Sequence, residues 1–135
     1  MPWSCPECGR VFARNKQAHS CKSYSLDPLF YKSGQGIRDL YEILASRVMG
    51  FGEVDIRVGP YGISIRNLST FMNIIVEKTH LTISFVSSRL IDEFPVYQNY
   101  QQSAKRWANY VKIESPEEID EQLLNWLWEA YNLTN

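Results

Sequence analysis

The feature that most constrains this chain is its first 24 residues, which hold all three cysteines but no long apolar period. Such a segment cannot bury a core of its own, so a bound metal is the expected source of its stability. Four candidate ligands stand in two pairs: Cys5, Cys8, His19 and Cys21. Three thiolates and one imidazole fill the four positions of a tetrahedral zinc ion. The sequence therefore predicts a closed, structural zinc site rather than a catalytic one.

The spacing of the second ligand pair adds a structural condition. Ligands in such a pair usually have roughly three to five residues between them, about one helical turn, whereas only one residue separates His19 from Cys21. Side chains two positions apart point to opposite sides of a helix. The helix predicted over residues 13–18 must therefore end at about His19. A redox pair at Cys5 and Cys8, or cysteines that bind no metal, are the alternatives, but the chain lacks the βαβ pattern typical of dithiol redox motifs.

The zinc-binding head, residues 1–24, also carries a basic and aromatic surface. Arg10, Arg14 and Lys16 stand close in sequence to Trp3 and Phe12. Cations interleaved with aromatic rings are typical of surfaces that bind DNA or RNA, because the cations meet phosphates and the rings stack on bases. The alternative interpretation is an ordinary solvated surface.

Residues 25–135 are predicted to form one α+β domain. Apolar residues recur with a helical period over residues 37–48 and, in the last helix, over residues 119–131. Between the helices, alternating or continuous apolar runs indicate strands near residues 54–58, 63–65, 71–76, 81–85 and 107–113. The segment near residues 97–104 is polar and is predicted as loop and short helix. The expected architecture is an antiparallel meander sheet of about five strands, packed against two main helices.

The last helix carries the clearest start signal. Ser115, Pro116 and Glu118 match a capping box with proline at the first helical position. Residues 114–135 contain six carboxylates and no lysine or arginine, and we attribute most of that charge to this helix rather than to a recruitment motif. Trp126 is expected in the core, whereas Trp128 lies off the apolar face.

The head and the last helix resemble a known family. The run Trp3-Ser4-Cys5-Pro6-Glu7-Cys8-Gly9-Arg10, the run from Asn15 to Cys21, and the pairs Trp126-Leu127 and Ala130-Tyr131 resemble small prokaryotic zinc-headed proteins called domain of unknown function 5655. The resemblance implies no established reaction. The family's occurrence beside restriction-type nucleases implies a nucleic-acid context.

No catalytic motif stands out, so an enzyme is the less favoured class. The favoured function is a non-enzymatic, zinc-containing binding module that contacts DNA or RNA through the head. One alternative is a small-molecule site, or a minor enzymatic activity, in which Arg89 and Arg106 beside Trp107 grip an anionic ligand. Another is a protein–protein adaptor that uses a sheet edge and Trp128. A cytoplasmic location and no membrane partner are expected, because no apolar run approaches the ~20 residues of a spanning helix.

Overall fold

The structure is a computed structural model that describes residues 2–6, 11–16 and 24–134. Two α-helices and eight strands make up its regular elements. In chain order they are β1 (Trp3–Ser4), β2 (Val11–Phe12), α1 (Gln35–Met49), β3 (Asp55–Val58), β4 (Ile63–Arg66), β5 (Thr70–Val76), β6 (Leu81–Ser87), β7 (Gln98–Ser103), β8 (Arg106–Ile113) and α2 (Glu121–Leu133).

Strands β3 to β8 form one antiparallel sheet in the order β3-β4-β5-β6-β8-β7. The α+β class is confirmed, but the sheet has six strands, and β8 lies between β6 and β7. The predicted loop and short helix near residues 97–104 are wrong, because this segment is the edge strand β7, paired with β8. Most β7 side chains are exposed, so the strand lacks the apolar alternation that reveals a half-buried strand in a sequence.

The core lies between the helices and one face of the sheet. Trp126 of α2 stacks on Phe85 of β6, with ring centroids 5.8 Å apart, and Tyr131 meets the ring of Phe71 edge-on at 5.6 Å. The buried residues of α1 belong to the same apolar cluster. This face therefore carries the buried alternate residues of the central strands, and we call it the helix face.

The start of α2 differs from the prediction. Pro116–Glu118 form a short 3₁₀ turn, and α2 begins after Asp120, whose carboxylate accepts a hydrogen bond from the backbone N–H of Leu123 at 2.9 Å. Asp120, not Ser115, is therefore the N-cap of α2, and the predicted helix start at Pro116 is wrong. Ile119 has ψ 70° and leaves the helical conformation, which separates the turn from the helix.

A buried polar network ties β7 and the segment before it to the centre of the sheet. Asn109 is fully buried and donates to the carbonyl of Phe85 at 3.2 Å and to the hydroxyl of Ser87 at 2.9 Å. Its own carbonyl accepts from Asn99, which also donates to the carbonyl of Ile91. Since buried polar groups must find partners, this network fixes the polar edge strand despite its lack of apolar residues.

Among the described residues, neither helix has both the length and the apolar content that crossing a membrane requires.

Candidate functional site

The head begins as a small hairpin in which β1 pairs with β2. Trp3 lies opposite Phe12, and their ring centroids are 6.0 Å apart. Cys5 follows β1 directly and is only 4% exposed. In sequence, Cys5 and Cys8 fall between β1 and β2, the usual position of a first zinc-ligand pair.

The described part of the head is compatible with zinc, although most of the predicted site lies outside it. Cys8, His19, Cys21 and the basic residue Arg10 fall outside the described residues. Cys5 is described, and a buried thiol next to a tight hairpin suits a metal ligand rather than a reactive surface cysteine. Only one of the four predicted ligands is thus described, and the zinc site stays a prediction.

The predicted helix over residues 13–18 is wrong for its described part. Residues 13–16 form bends and turns, and Lys16 has φ 54°, in the left-handed region that helices exclude. The rest of the predicted helix, residues 17–18, and its end at His19 lie outside the described residues.

Arg57 of β3 joins the head to the α+β domain of residues 25–135, which we call the body. Its guanidinium carbon lies 6.0 Å from the centre of the Phe12 ring, and its Nε donates to the Asp55 carboxylate at 2.6 Å. Arginine over an aromatic face is a favourable cation–π arrangement. The contact places the head beside the sheet face that points away from the helices.

This second face, which we call the polar face, has a continuous row of polar side chains. The strand registers set one residue of each strand opposite the next, and the row runs Arg57, Ser64, Asn73, Ser84, Tyr110 and Gln98. The row is bonded internally, since the Ser64 hydroxyl donates to the Asn73 side-chain carbonyl at 2.9 Å. These residues alternate with buried ones along each strand, which is why they share one face.

The polar face is electropositive. Every charged residue within the six strands stands on it by alternation: Asp55, Arg57, Arg66, Arg106 and Lys112. The single carboxylate in this set is paired with Arg57. The six carboxylates of residues 114–135 belong instead to α2 and the chain beside it. Within the strands, the polar face therefore carries four cations and one carboxylate, which pairs with Arg57.

Tyrosine rings accompany the cations at the β7 side of the polar face. The Lys112 ammonium lies 5.1 Å from the centre of the Tyr97 ring, and Tyr97 lies 6.5 Å from Tyr110. Tyr100 is 64% exposed and stands opposite Ala108 on β8. Aromatic rings beside cations are the two components of a stacking surface for nucleobases.

A concavity of about 370 Å³ opens on the same face. The residues that line it include Asn73, Ser84, Arg106, Ala108 and Tyr110. This volume falls within the range of small-molecule sites. The concavity is a place where one planar group can lie against the sheet.

The structure does not bring the three predicted pocket residues together. Arg106 lines the concavity, but Trp107 stands opposite Ser87 and so belongs to the helix face. The Arg89 guanidinium lies 3.8 Å from the carboxylates of Glu93 and of Glu129 in α2. The predicted grip of two arginines on one anion is therefore not formed.

The sequence interpretation missed several residues of the polar face. The Tyr and Gln content of residues 97–104 was the available signal, and it becomes informative only when β7 is recognised as a strand. Asn73 and Ser84 gave no signal, because a polar residue that alternates with core positions is normal on any half-exposed strand.

The fold and this site define an α+β protein whose sheet is covered by helices on one face and exposes a basic, tyrosine-bearing surface on the other. The chain belongs to the family described as Domain of unknown function (DUF5655), whose model matches residues 27–134. The match confirms the family resemblance for the body, and the head lies outside it. No curated protein and no solved structure matches the chain significantly.

Proposed function

We propose that this protein is a non-enzymatic, zinc-containing module that binds nucleic acid. The observation that supports it best is the excess of positive charge on the polar face: the strands bring four cations and one carboxylate to it, and after the Arg57–Asp55 pair three cations remain. Phosphates are attracted to such a surface and release their counterions on binding. The Phe12–Arg57 contact adds the head to the same surface, so that Arg14 and Lys16 extend the basic area.

In this proposal the zinc ion is structural. Cys5, Cys8, His19 and Cys21 would hold it, and it would supply the folding free energy that the head cannot obtain from a core. The body has its own apolar cluster and does not depend on the metal.

Protein purified without added metal is expected to contain about one zinc per chain, measured by mass spectrometry of the metal, because four good ligands bind zinc tightly. Cys8→Ser should lose most of it. Ser20→Ala, between two predicted ligands, is the matched control and should keep it. Zinc far below one per chain in the unsubstituted protein would contradict the site.

The double variant Arg14→Ala/Lys16→Ala is expected to bind a fluorescent oligonucleotide about tenfold more weakly at low salt, because it removes two phosphate contacts. The matched control is Lys32→Ala/Arg47→Ala, which removes two exposed cations at and just before α1. Fluorescence anisotropy measures both. Equal losses in the two variants would indicate unspecific charge attraction, and no binding of any nucleic acid would remove the proposal.

An adaptor role is the second candidate, supported by apolar residues exposed near the end of α2. Trp128 is 45% exposed and lies 5.4 Å from the half-buried Phe51. Exposed aromatic side chains are common in protein interfaces. Trp128→Ala separates the two roles, because it should leave oligonucleotide binding unchanged.

A further inference from the structure

We infer that the polar face of the sheet binds a single strand of nucleic acid, with unpaired bases stacked on its tyrosines and phosphates held by its cations. The inference rests on the proposed function and names the form of nucleic acid and the surface that selects it.

Strand β8 carries the main elements of this surface. Arg106, Ala108, Tyr110 and Lys112 occupy successive positions on the polar face of one strand. The two cations are therefore separated by roughly 20 Å at about 3.3 Å per residue. Arg106 and Lys112 thus stand at the two ends of a stretch that contains the small Ala108 and the aromatic Tyr110. The two cations can hold the phosphates of a nucleic-acid strand while its bases contact the sheet between them.

The three tyrosines of this surface, Tyr97, Tyr100 and Tyr110, differ in how far their rings are exposed. Tyr100 is the most exposed of the three at 64%, and its opposite neighbour Ala108 is too small to cover its ring. Tyr110 is half-buried and lines the concavity, while the Lys112 ammonium stands over Tyr97. An outer base can therefore stack on Tyr100, and a second can enter beside Tyr110.

The concavity suits the second base. Among the residues that line it, Asn73 and Ser84 bring an amide and a hydroxyl. Such groups hydrogen-bond to the edge of a base, and Arg106 in the same lining supplies positive charge for the adjoining phosphate. A concavity that combines polar groups, a cation and an aromatic ring therefore favours bases over an apolar ligand.

The same geometry disfavours a duplex. In a duplex the base faces are covered by neighbouring pairs, so exposed tyrosine rings can stack only on unpaired bases. The row across six strands is about 24 Å long at ~4.8 Å per strand. A surface of this length accommodates several nucleotides, in line with the ~4–16 nucleotides bound by sheet-based single-strand modules.

The test compares a fluorescein-labelled 12-nucleotide oligo(dT) with the same strand annealed to oligo(dA), by anisotropy with the full chain loaded with zinc. The single strand is expected to bind at least tenfold more tightly than the duplex. Tyr100→Ala should weaken single-strand binding about tenfold, and Tyr100→Phe, which keeps the ring, should preserve it. Tyr31→Ala removes a tyrosine just before α1 that is even more exposed, at 84%, and should change nothing. Matching circular dichroism spectra establish that the variants fold.

Two results would overturn the inference and leave the proposed function standing. In the first, Tyr100→Ala and Arg106→Ala bind like the unsubstituted protein while Arg14→Ala/Lys16→Ala does not, which assigns binding to the head alone. In the second, the duplex binds as tightly as the single strand. Failure of both oligonucleotides to bind at low salt would overturn the inference and the proposed function together.

Discussion

Replacement of Trp126 by alanine is expected to lower the free energy of unfolding by about 3–5 kcal/mol. The side chain is 4% exposed and stacks on Phe85 at an interplanar angle of 19°. Its removal leaves a cavity between α2 and β6 that the surrounding sheet cannot fill, because strands joined by ladders on both sides do not shift freely. Urea unfolding followed by circular dichroism measures the change.

Trp128→Ala is the matched control for this prediction, on the same helix and with the same loss of ring. Trp128 is 45% exposed, although it stacks on Tyr131 at 5.7 Å. The expected cost is about 1–2 kcal/mol, because Trp128 also lies edge-on to Phe51 at 5.4 Å and so makes two aromatic pairs. Equal costs for the two variants would contradict the position of the core between α2 and the helix face.

Asn109→Leu is expected to cost about 3 kcal/mol, since the substitution keeps the volume but removes every polar partner at a fully buried position. It leaves the Asn99 amide and the Ser87 hydroxyl without the bonds that they make to Asn109. Three buried hydrogen bonds are lost in all, including that to the Phe85 carbonyl, and each is worth about 0.5–1.5 kcal/mol. The same substitution should loosen β7 and the 88–97 segment, so amide hydrogen exchange there should accelerate more than in β5.

Asn73→Leu is the corresponding control on the polar face. Asn73 is exposed, and its one side-chain bond accepts from Ser64, so the free energy of unfolding should change by less than about 1 kcal/mol. If the two leucine variants unfold at the same urea concentration, the buried network does not contribute to stability in the way described.

Much of this fold is predictable because local and global preferences agree. The apolar residues of α1 recur with a helical period, and those of β6 alternate strictly, and both patterns survive in the structure. The fold of the body can therefore be predicted from patterns that extend over several residues and that agree on one core.

The errors arise where stability comes from a few specific contacts. The sequence of β7 has no apolar alternation, and the strand is held by its ladder to β8 and by Asn99. Residues 13–16 were predicted as helix from the demands of a metal, but Lys16 adopts a left-handed conformation. Neither feature has a periodic signal, so pattern analysis cannot reveal it.

The candidate site was predictable only in part. The basic residues of the head are close together in sequence, so the pattern is visible there. The cations of the polar face are far apart in sequence and reach the same face only through the strand registers: Arg57, Arg66, Arg106 and Lys112. A net charge of −1 for the whole chain concealed this surface, because the carboxylates are concentrated near α2.

The salt dependence of oligonucleotide binding tests the central claim most directly. If about five phosphates are neutralised, by Arg14 and Lys16 of the head and by the three polar-face cations other than Arg57, the logarithm of the association constant should fall with the logarithm of the salt concentration with a slope near −3.5. The affinity for a single strand would then drop about 130-fold between 50 and 200 mM salt. No binding at 50 mM salt, or an affinity that salt does not change, would contradict a nucleic-acid-binding module.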